Sequence, residues 1–191
     1  HNHHCKLRRQ SSNHMSNLLV QNIKHTNGTT AQTIDSSGRI LTPARPAFVA
    51  YLNSEGTSTY ANGAEVIFNK TDSTAGGFNI GGHYDTSNGR FTAPIAGVYQ
   101  FSFSSNLFIN SGTSTYIEPE LNVNGNTVMN FYQAHDTTSY SLFTFTHLLN
   151  LSASDYVSIT IQHSATTVVV DRVGSASSTN QYSYFSGHLV G

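Results

Sequence analysis

Charge, cysteine, proline and tryptophan are all scarce in this chain. Of 191 residues only 10% are charged, one is cysteine, four are proline and none is tryptophan. A single cysteine excludes an internal disulfide framework and any paired-thiol redox chemistry. Nine Lys and Arg against ten Asp and Glu leave no basic surplus for a polyanion, so nucleic acid is not an expected partner. No run of eighteen apolar residues occurs, which argues against membrane insertion by a helix. No stretch carries a sustained 3.6-residue repeat, so long amphipathic helices are not expected. Ser, Thr and Asn fill the space instead: 25, 22 and 18 residues, about a third of the chain. With Val, Ile, Tyr and Phe at strand-like spacing and 15 Gly between them, this is the composition of an all-β protein with tight turns.

The first fourteen residues read as something added. His1, His3 and His4 resemble the remnant of an affinity tag, and Cys5 to His14 resemble vector-derived sequence, with Met15 the expected natural start. A metal site on His1, His3, His4 and Cys5 is the competing reading, disfavoured because a chain terminus supplies no surrounding groups to orient the ligands. Without this segment six basic and ten acidic residues remain, for a net charge of −4. Met15 to Val20 lacks the basic start and long apolar run of a secretory signal.

Residues 15–45 form a short polar segment. Two turn signals, Thr26-Asn27-Gly28-Thr29 and Ser36-Ser37-Gly38, separate short β-like runs, so one or two hairpins too small to bury a core are expected. Pro43 and Pro46 then mark a stiff junction. Residues 46–191 carry strands nearly throughout. In Gly97 to Leu107, Tyr99, Phe101, Phe103 and Leu107 share one face, with Gln100, Ser102 and Ser104 opposite. Phe143, Phe145, His147, Leu149 and Leu151 alternate in the same way, as do Val157, Ile159 and Ile161. Phe48 to Leu52 and Glu65 to Asn69 are expected as the first two strands, and Tyr182 to Val190 as a central closing strand beside the first. Asn62-Gly63, Asn88-Gly89, Asn124-Gly125 and Ser152 to Asp155 supply turns. About ten strands at this spacing predict a two-sheet jelly-roll sandwich, preceded by the hairpin-like segment.

The run from Asn79 to Phe103, NIGGHYDTSNGRFTAPIAGVYQFSF, resembles the signature of the C1q globular domain. Its carrying residues are Asn79, Tyr84, Asp85, Gly89, Phe91, Pro94, Gly97, Tyr99, Phe101 and Phe103. Phe48 in the opening strand, Val66 to Asn69, Leu121 to Gly125, Leu149 to Val157, and Phe185 with Gly187 in the closing strand extend the resemblance in order across 46–191. It departs from the family at three points. Ten residues separate Phe68 from Asn79 where five are usual, which predicts an inserted loop at Thr71 to Phe78. His188 stands where the family often has an apolar residue. No Gly-X-Y stalk repeat is present.

The resemblance implies a C1q and tumour-necrosis-factor type jelly roll, a homotrimer, and binding in place of catalysis. Residues 22–40 resemble N-terminal segments of virion structural proteins of tailed bacteriophages. This implies a non-enzymatic virion surface protein, a fibre or capsid decoration. Residues 15–45 would contact other virion proteins, and the projecting domain would recognise a host surface glycan or protein. The alternative is a secreted C1q-like recognition protein of a cellular organism, extracellular instead of on the virion surface.

Candidates for chemistry are few. No Ser lies in a Gly-x-Ser-x-Gly elbow. No two of His25, His83, His135, His147, His163 and His188 have helical metal-ligand spacing. His147 is expected in the core or an interface. Glu118 and Glu120 flank Pro119 and are expected on an exposed edge, where proline and charge are tolerated. Tyr132, His135, Asp136 and Tyr140 are the expected ligand contacts, and loops such as Gly56 to Gly63, Asn110 to Thr115 and Gln133 to Tyr140 are expected at the apex. Tyr132, Tyr140, Tyr182 and Tyr184 are candidate interface aromatics, with a core or a merely exposed position the equal alternatives for each. No cofactor or metal is assigned. Calcium stays open, with Asp72, Asp136 and Asp171 as loop oxygens that would have to converge between chains.

Overall fold

The computed structural model describes residues 19–53, 58–134, 140–171 and 183–190. The chain divides into two compact units between Pro43 and Ala44.

In the first unit β1 (Asn22–Lys24), β2 (Thr30–Ile34) and β3 (Ile40–Leu41) form an antiparallel sheet in chain order. The two expected hairpins therefore share their middle strand. Their turns are set by short side chains that bond the backbone. Asn27 Oδ1 accepts from Thr29 N at 3.0 Å, and Asp35 Oδ1 accepts from Ser37 N at 2.9 Å and Arg39 N at 3.0 Å.

The second unit is a sandwich of two antiparallel sheets. Its strands are β4 (Ala47–Tyr51), β5 (Thr59–Tyr60), β6 (Phe78–Ile80), β7 (Tyr84–Asp85), β8 (Arg90–Thr92) and β9 (Gly97–Ser111). They continue with β10 (Tyr116–Val123), β11 (Asn126–Asn130), β12 (Gln133–Ala134), β13 (Ser141–Leu151), β14 (Tyr156–His163), β15 (Thr167–Val170) and β16 (Tyr184–Leu189). The seven-stranded sheet runs β5-β15-β9-β16-β4-β6, with β13 on the free side of β9. The six-stranded sheet runs β11-β10-β14-β8-β7, with β12 also on β10. The 15-residue β9 organises the first sheet: β13 pairs with it from Gly97 to Leu107, while β16 and β15 follow one another along its other side.

The alternation read from the sequence becomes the core. Tyr99, Phe101, Phe103 and Leu107 of β9 are fully buried in one core cluster with Phe48, Phe143 and Phe185 of the same sheet and Phe91, Ile159 and Ile161 of the other. Each such side chain contributes roughly 1.5–3 kcal/mol of transfer free energy towards holding the two sheets together. The closing strand β16 lies between β4 and β9, as its pattern predicts. Asn124 and Gly125 have φ of 52° and 78°, the doubly left-handed turn that an Asn-Gly pair favours between β10 and β11.

Two local expectations fail. Glu65 to Asn69 is extended but is not a ladder strand. Glu65 bridges Thr160 of β14, whereas Lys70 bridges Tyr51 of β4. The segment crosses from one sheet to the other, so no single partner accompanies it, although Val66 and Phe68 are fully buried between the sheets. Glu118 and Glu120 are not on an edge either. β10 lies inside its sheet, between β14 and the β11–β12 pair, and Glu120 is only 9% exposed. Pro119 is accommodated because its carbonyl, and hence its nitrogen, points to the break between β11 and β12, where Phe131 N donates to Pro119 O at 3.0 Å.

The inserted stretch after Lys70 is a one-turn 3-10 helix, Ser73–Ala75. Asp72 caps it by accepting from Thr74 N at 2.9 Å and also accepts from the Tyr51 hydroxyl at 2.7 Å.

Candidate functional site

The signature residues hold the fold together. The Asn79 side chain closes the bend before β7 in both directions, donating to Tyr84 O at 2.8 Å and accepting from Tyr84 N at 3.2 Å. Tyr84 carries its hydroxyl into the core, to Phe68 O at 3.2 Å, and burial pushes that phenol well above its ordinary range. Phe48 is stacked between Tyr84, at 4.7 Å, and Phe91, at 5.1 Å. Asp85 accepts from the Ser87 hydroxyl at 2.6 Å and the Ser87 amide at 2.8 Å; those two bonds hold its carboxyl below the usual range. Gly89 adopts φ +78°, and a Cβ there would meet Val66 O at 2.5 Å. Gly97 opens β9, and the Tyr99 hydroxyl reaches Ile95 O at 2.9 Å. Phe101 and Phe185 stack at 5.8 Å, and Gly187 lies against the rings of Phe101 and Phe48.

Of the expected ligand contacts, His135 and Asp136 lie outside the described residues, as do Tyr182 and part of the Gly56 to Gly63 loop. The described two, Tyr132 and Tyr140, immediately precede β12 and β13 respectively. Tyr132 is 60% exposed and stacks on Tyr116 of β10. Tyr140 is 55% exposed and leans on Phe108 of β9, ring centroids 5.2 Å apart. One therefore belongs to each sheet, and the structure does not bring them together. Asp72 is engaged by Tyr51 and Thr74, which hold its carboxyl below the usual range. Asp171 lies beyond β15, where its amide bonds Asn106 O and its carbonyl accepts from Ser183 Oγ. Among the described residues no three His, Cys, Asp or Glu converge as metal ligands.

His147 is half-buried on the inward side of β13. His163 is buried at 1%, its Nδ1 3.1 Å from the Ala165 carbonyl and its Nε2 without a hydrogen-bond partner.

The outer faces of the two sheets are chemically different, and sequence spacing did not single out either. On the seven-stranded sheet the outward positions of β4, β6, β9, β13, β15 and β16 include no Asp, Glu, Lys or Arg. They carry Ser and Thr, such as the Ser102–Thr146 hydroxyl pair at 2.9 Å, among exposed apolar side chains. Leu142 is 63% exposed, Leu148 55%, Phe78 42% and Ile80 41%.

The six-stranded sheet instead carries carboxylates and amides outward. Arg90 Nε lies 3.1 and 3.0 Å from the two Glu65 oxygens, and its guanidinium sits 4.3 Å above the Tyr156 ring. Ser158 donates to Glu65 at 3.0 Å, and Asn122 donates to Thr160 at 2.8 Å.

Among the described residues no helix is long and apolar enough to cross a membrane. No curated protein sequence matches the chain. A solved structure, the globular domain of zebrafish complement 1qA protein, matches with a TM-score of 0.55 and 21% identity, over 77% of this chain and 98% of that one. This is a likeness of fold. The family model for the C1q domain matches residues 47–190, nearly the whole sandwich unit. The signature packing, the two-sheet topology and that match agree: the chain belongs to the C1q domain family, whose domain is a recognition and binding module.

Proposed function

We propose that this protein is a non-enzymatic homotrimeric binding protein whose copies associate through the outer face of the seven-stranded sheet. The observation that carries the reading is the absence of Asp, Glu, Lys and Arg from the outward strand positions of that face, together with its exposed Leu142, Leu148, Phe78 and Ile80. Desolvating the strands of such a surface costs little, because they carry no Asp, Glu, Lys or Arg, and apolar side chains exposed near both edges of the sheet, on β13 and β6, suit an interaction surface. Trimerisation would present three copies of the remaining surface at once, multiplying weak contacts by avidity.

Within this reading residues 15–45 attach the trimer to a virion and the C1q domain projects to recognise a host surface glycan or protein. The resemblance of residues 22–40 to phage virion segments supports that assignment. A secreted C1q-like protein would have the same sandwich and the same trimer.

Light scattering tests the assembly. The expected mass is about 62 kDa, three times the 20.7 kDa chain. Leu148→Glu, which puts a charge on the face, is expected to lower it to the monomer value. A monomeric parent protein at micromolar concentration would overturn the assembly. Omitting residues 15–45 is expected to abolish incorporation into particles while leaving the trimer intact; full incorporation without them would remove the virion assignment.

A further inference from the structure

β10 places Ile117 and Leu121 in the core, so Tyr116, Glu118 and Glu120 point to the opposite side of the six-stranded sheet. Its register with β12 pairs Tyr116 with Ala134 and Ile117 with Gln133, and its register with β11 pairs Glu120 with Asn130. The same register carried through sets Tyr132 opposite Glu118. On the other side Gln162 of β14 pairs with Glu118 and Thr160 with Glu120. Tyr116, Tyr132, Glu118, Asn130, Glu120 and Gln162 thus form one outward patch.

Three properties of the patch narrow what it can hold. First, the Tyr132 ring rests on Tyr116, centroids 5.4 Å apart and planes within 18°, while Tyr132 remains 60% exposed. One π face is occupied and fixed, and the other is offered to solvent. A flat, preordered aromatic face suits a ligand with an apolar flat side, and costs little entropy to use. Second, polar groups of both kinds border the ring. Glu118 accepts from the Asn130 amide, and Glu120 accepts from the Thr160 hydroxyl at 2.8 Å and the Gln162 amide at 3.1 Å. A carboxylate has more acceptor sites than these bonds use, so donors from a ligand can be added. Third, the patch has no Lys or Arg, and the two described ion pairs, Arg39–Asp35 and Arg90–Glu65, use neither carboxylate. An anionic ligand would be repelled. A metal ion lacks a third ligating side chain among the described residues.

We propose that this patch binds a neutral carbohydrate, with the C–H side of a sugar ring on Tyr132, hydroxyls donating to Glu118 and other sugar oxygens accepting from Asn130. The inference rests on the binding-module reading above and names its ligand class and its face: the outer side of the six-stranded sheet, away from the face assigned to assembly. His135 and Asp136 are not needed for it.

The test uses the full chain on an array of neutral, sialylated and sulfated glycans, followed by titration with the neutral oligosaccharides that bind. Because the chain has no tryptophan, tyrosine difference absorbance reports ring contact directly. The expected result is binding to neutral glycans with a tyrosine signal. Tyr132→Ala should weaken it about tenfold or more and remove the signal. Glu118→Gln, which keeps the side-chain shape, should weaken it several-fold. Both variants should keep the parent mass and far-ultraviolet dichroism. Neutral glycan binding unchanged in both variants would overturn the site and leave the binding-module reading intact, as would binding confined to anionic glycans or to a protein. No binding to glycans, proteins or host cells would overturn both.

Discussion

Replacing Gly187 by alanine tests whether the closing strand is glycine-bearing for packing reasons. The strand β16 passes between β4 and β9, and Gly187 pairs with Phe48 on one side and Phe101 on the other. A Cβ at this position would sit 2.6 and 2.7 Å from two ring carbons of Phe101 and 2.8 Å from one of Phe48. Both rings are essentially buried, and both are held by further rings: Phe48 between Tyr84 and Phe91, Phe101 against Phe185. Neither can swing away as a flexible side chain would. Forcing an added carbon into a full core costs about 1–3 kcal/mol, and two immobile neighbours place this case in the upper half, about 2–3 kcal/mol. With a urea slope of about 2 kcal/mol per molar, the midpoint should fall by about 1–1.5 M.

The assay is urea unfolding followed by far-ultraviolet dichroism, at one fixed protein concentration because assembly would couple to stability. A cycle with Phe101→Leu isolates the cause. If the ring clash is responsible, the double variant should be more stable than the sum of the two single losses predicts, by about 1 kcal/mol or more. A midpoint within 0.2 M of the parent, or strict additivity in the cycle, would refute the packing argument.

Two further outcomes follow from groups outside this ring stack. Burial raises the phenols of Tyr51 and Tyr60 to about 12, and the Asp72 carboxylate adds to the effect at Tyr51. The unfolded phenols ionise near 10, so this stabilisation is fully present below about pH 10 and is lost as pH rises towards about 12. Urea midpoints measured from pH 9 to 12 should decline across that window and more shallowly in Tyr51→Phe; a flat profile contradicts the burial of these phenols. Arg90→Lys keeps the charge but loses the paired contact to Glu65 and the planar contact over Tyr156. Both partners are partly exposed, so the expected loss is about 0.5–1 kcal/mol, smaller in 1 M salt; an unchanged midpoint at low salt would sink the assignment.

The fold was largely legible because its determinants are local and periodic. The alternation of Tyr99, Phe101 and Phe103 against Gln100, Ser102 and Ser104 assigns two faces with no knowledge of the partner strand. Asn124-Gly125 declares its turn through backbone freedom alone. The run from Asn79 to Phe103 carried the family because its residues close one bend and fill one ring stack, contacts that recur wherever this packing recurs. His147, placed inward by the same alternation, was readable for the same reason.

What the sequence could not decide depended on what lies across from a residue. Glu65 to Asn69 has the alternation of a strand, yet Glu65 bridges one sheet and the next residue, Lys70, the other, so the stretch joins no ladder. Glu118-Pro119-Glu120 has the composition of an edge, yet β14 on one side and β11 with β12 on the other enclose it. Tyr132 was a candidate ligand contact or interface aromatic in the sequence, but its support by Tyr116, sixteen positions earlier, exists only through the β10–β12 register. By itself the sequence determined the inward and outward sides of each strand, since side chains alternate strictly along an extended backbone. Only the tertiary structure decided which outward sides meet, leaving one sheet whose outward strand positions carry no Asp, Glu, Lys or Arg and the other with carboxylates beside a tyrosine stack, because pairing between distant strands sets which side chains become neighbours.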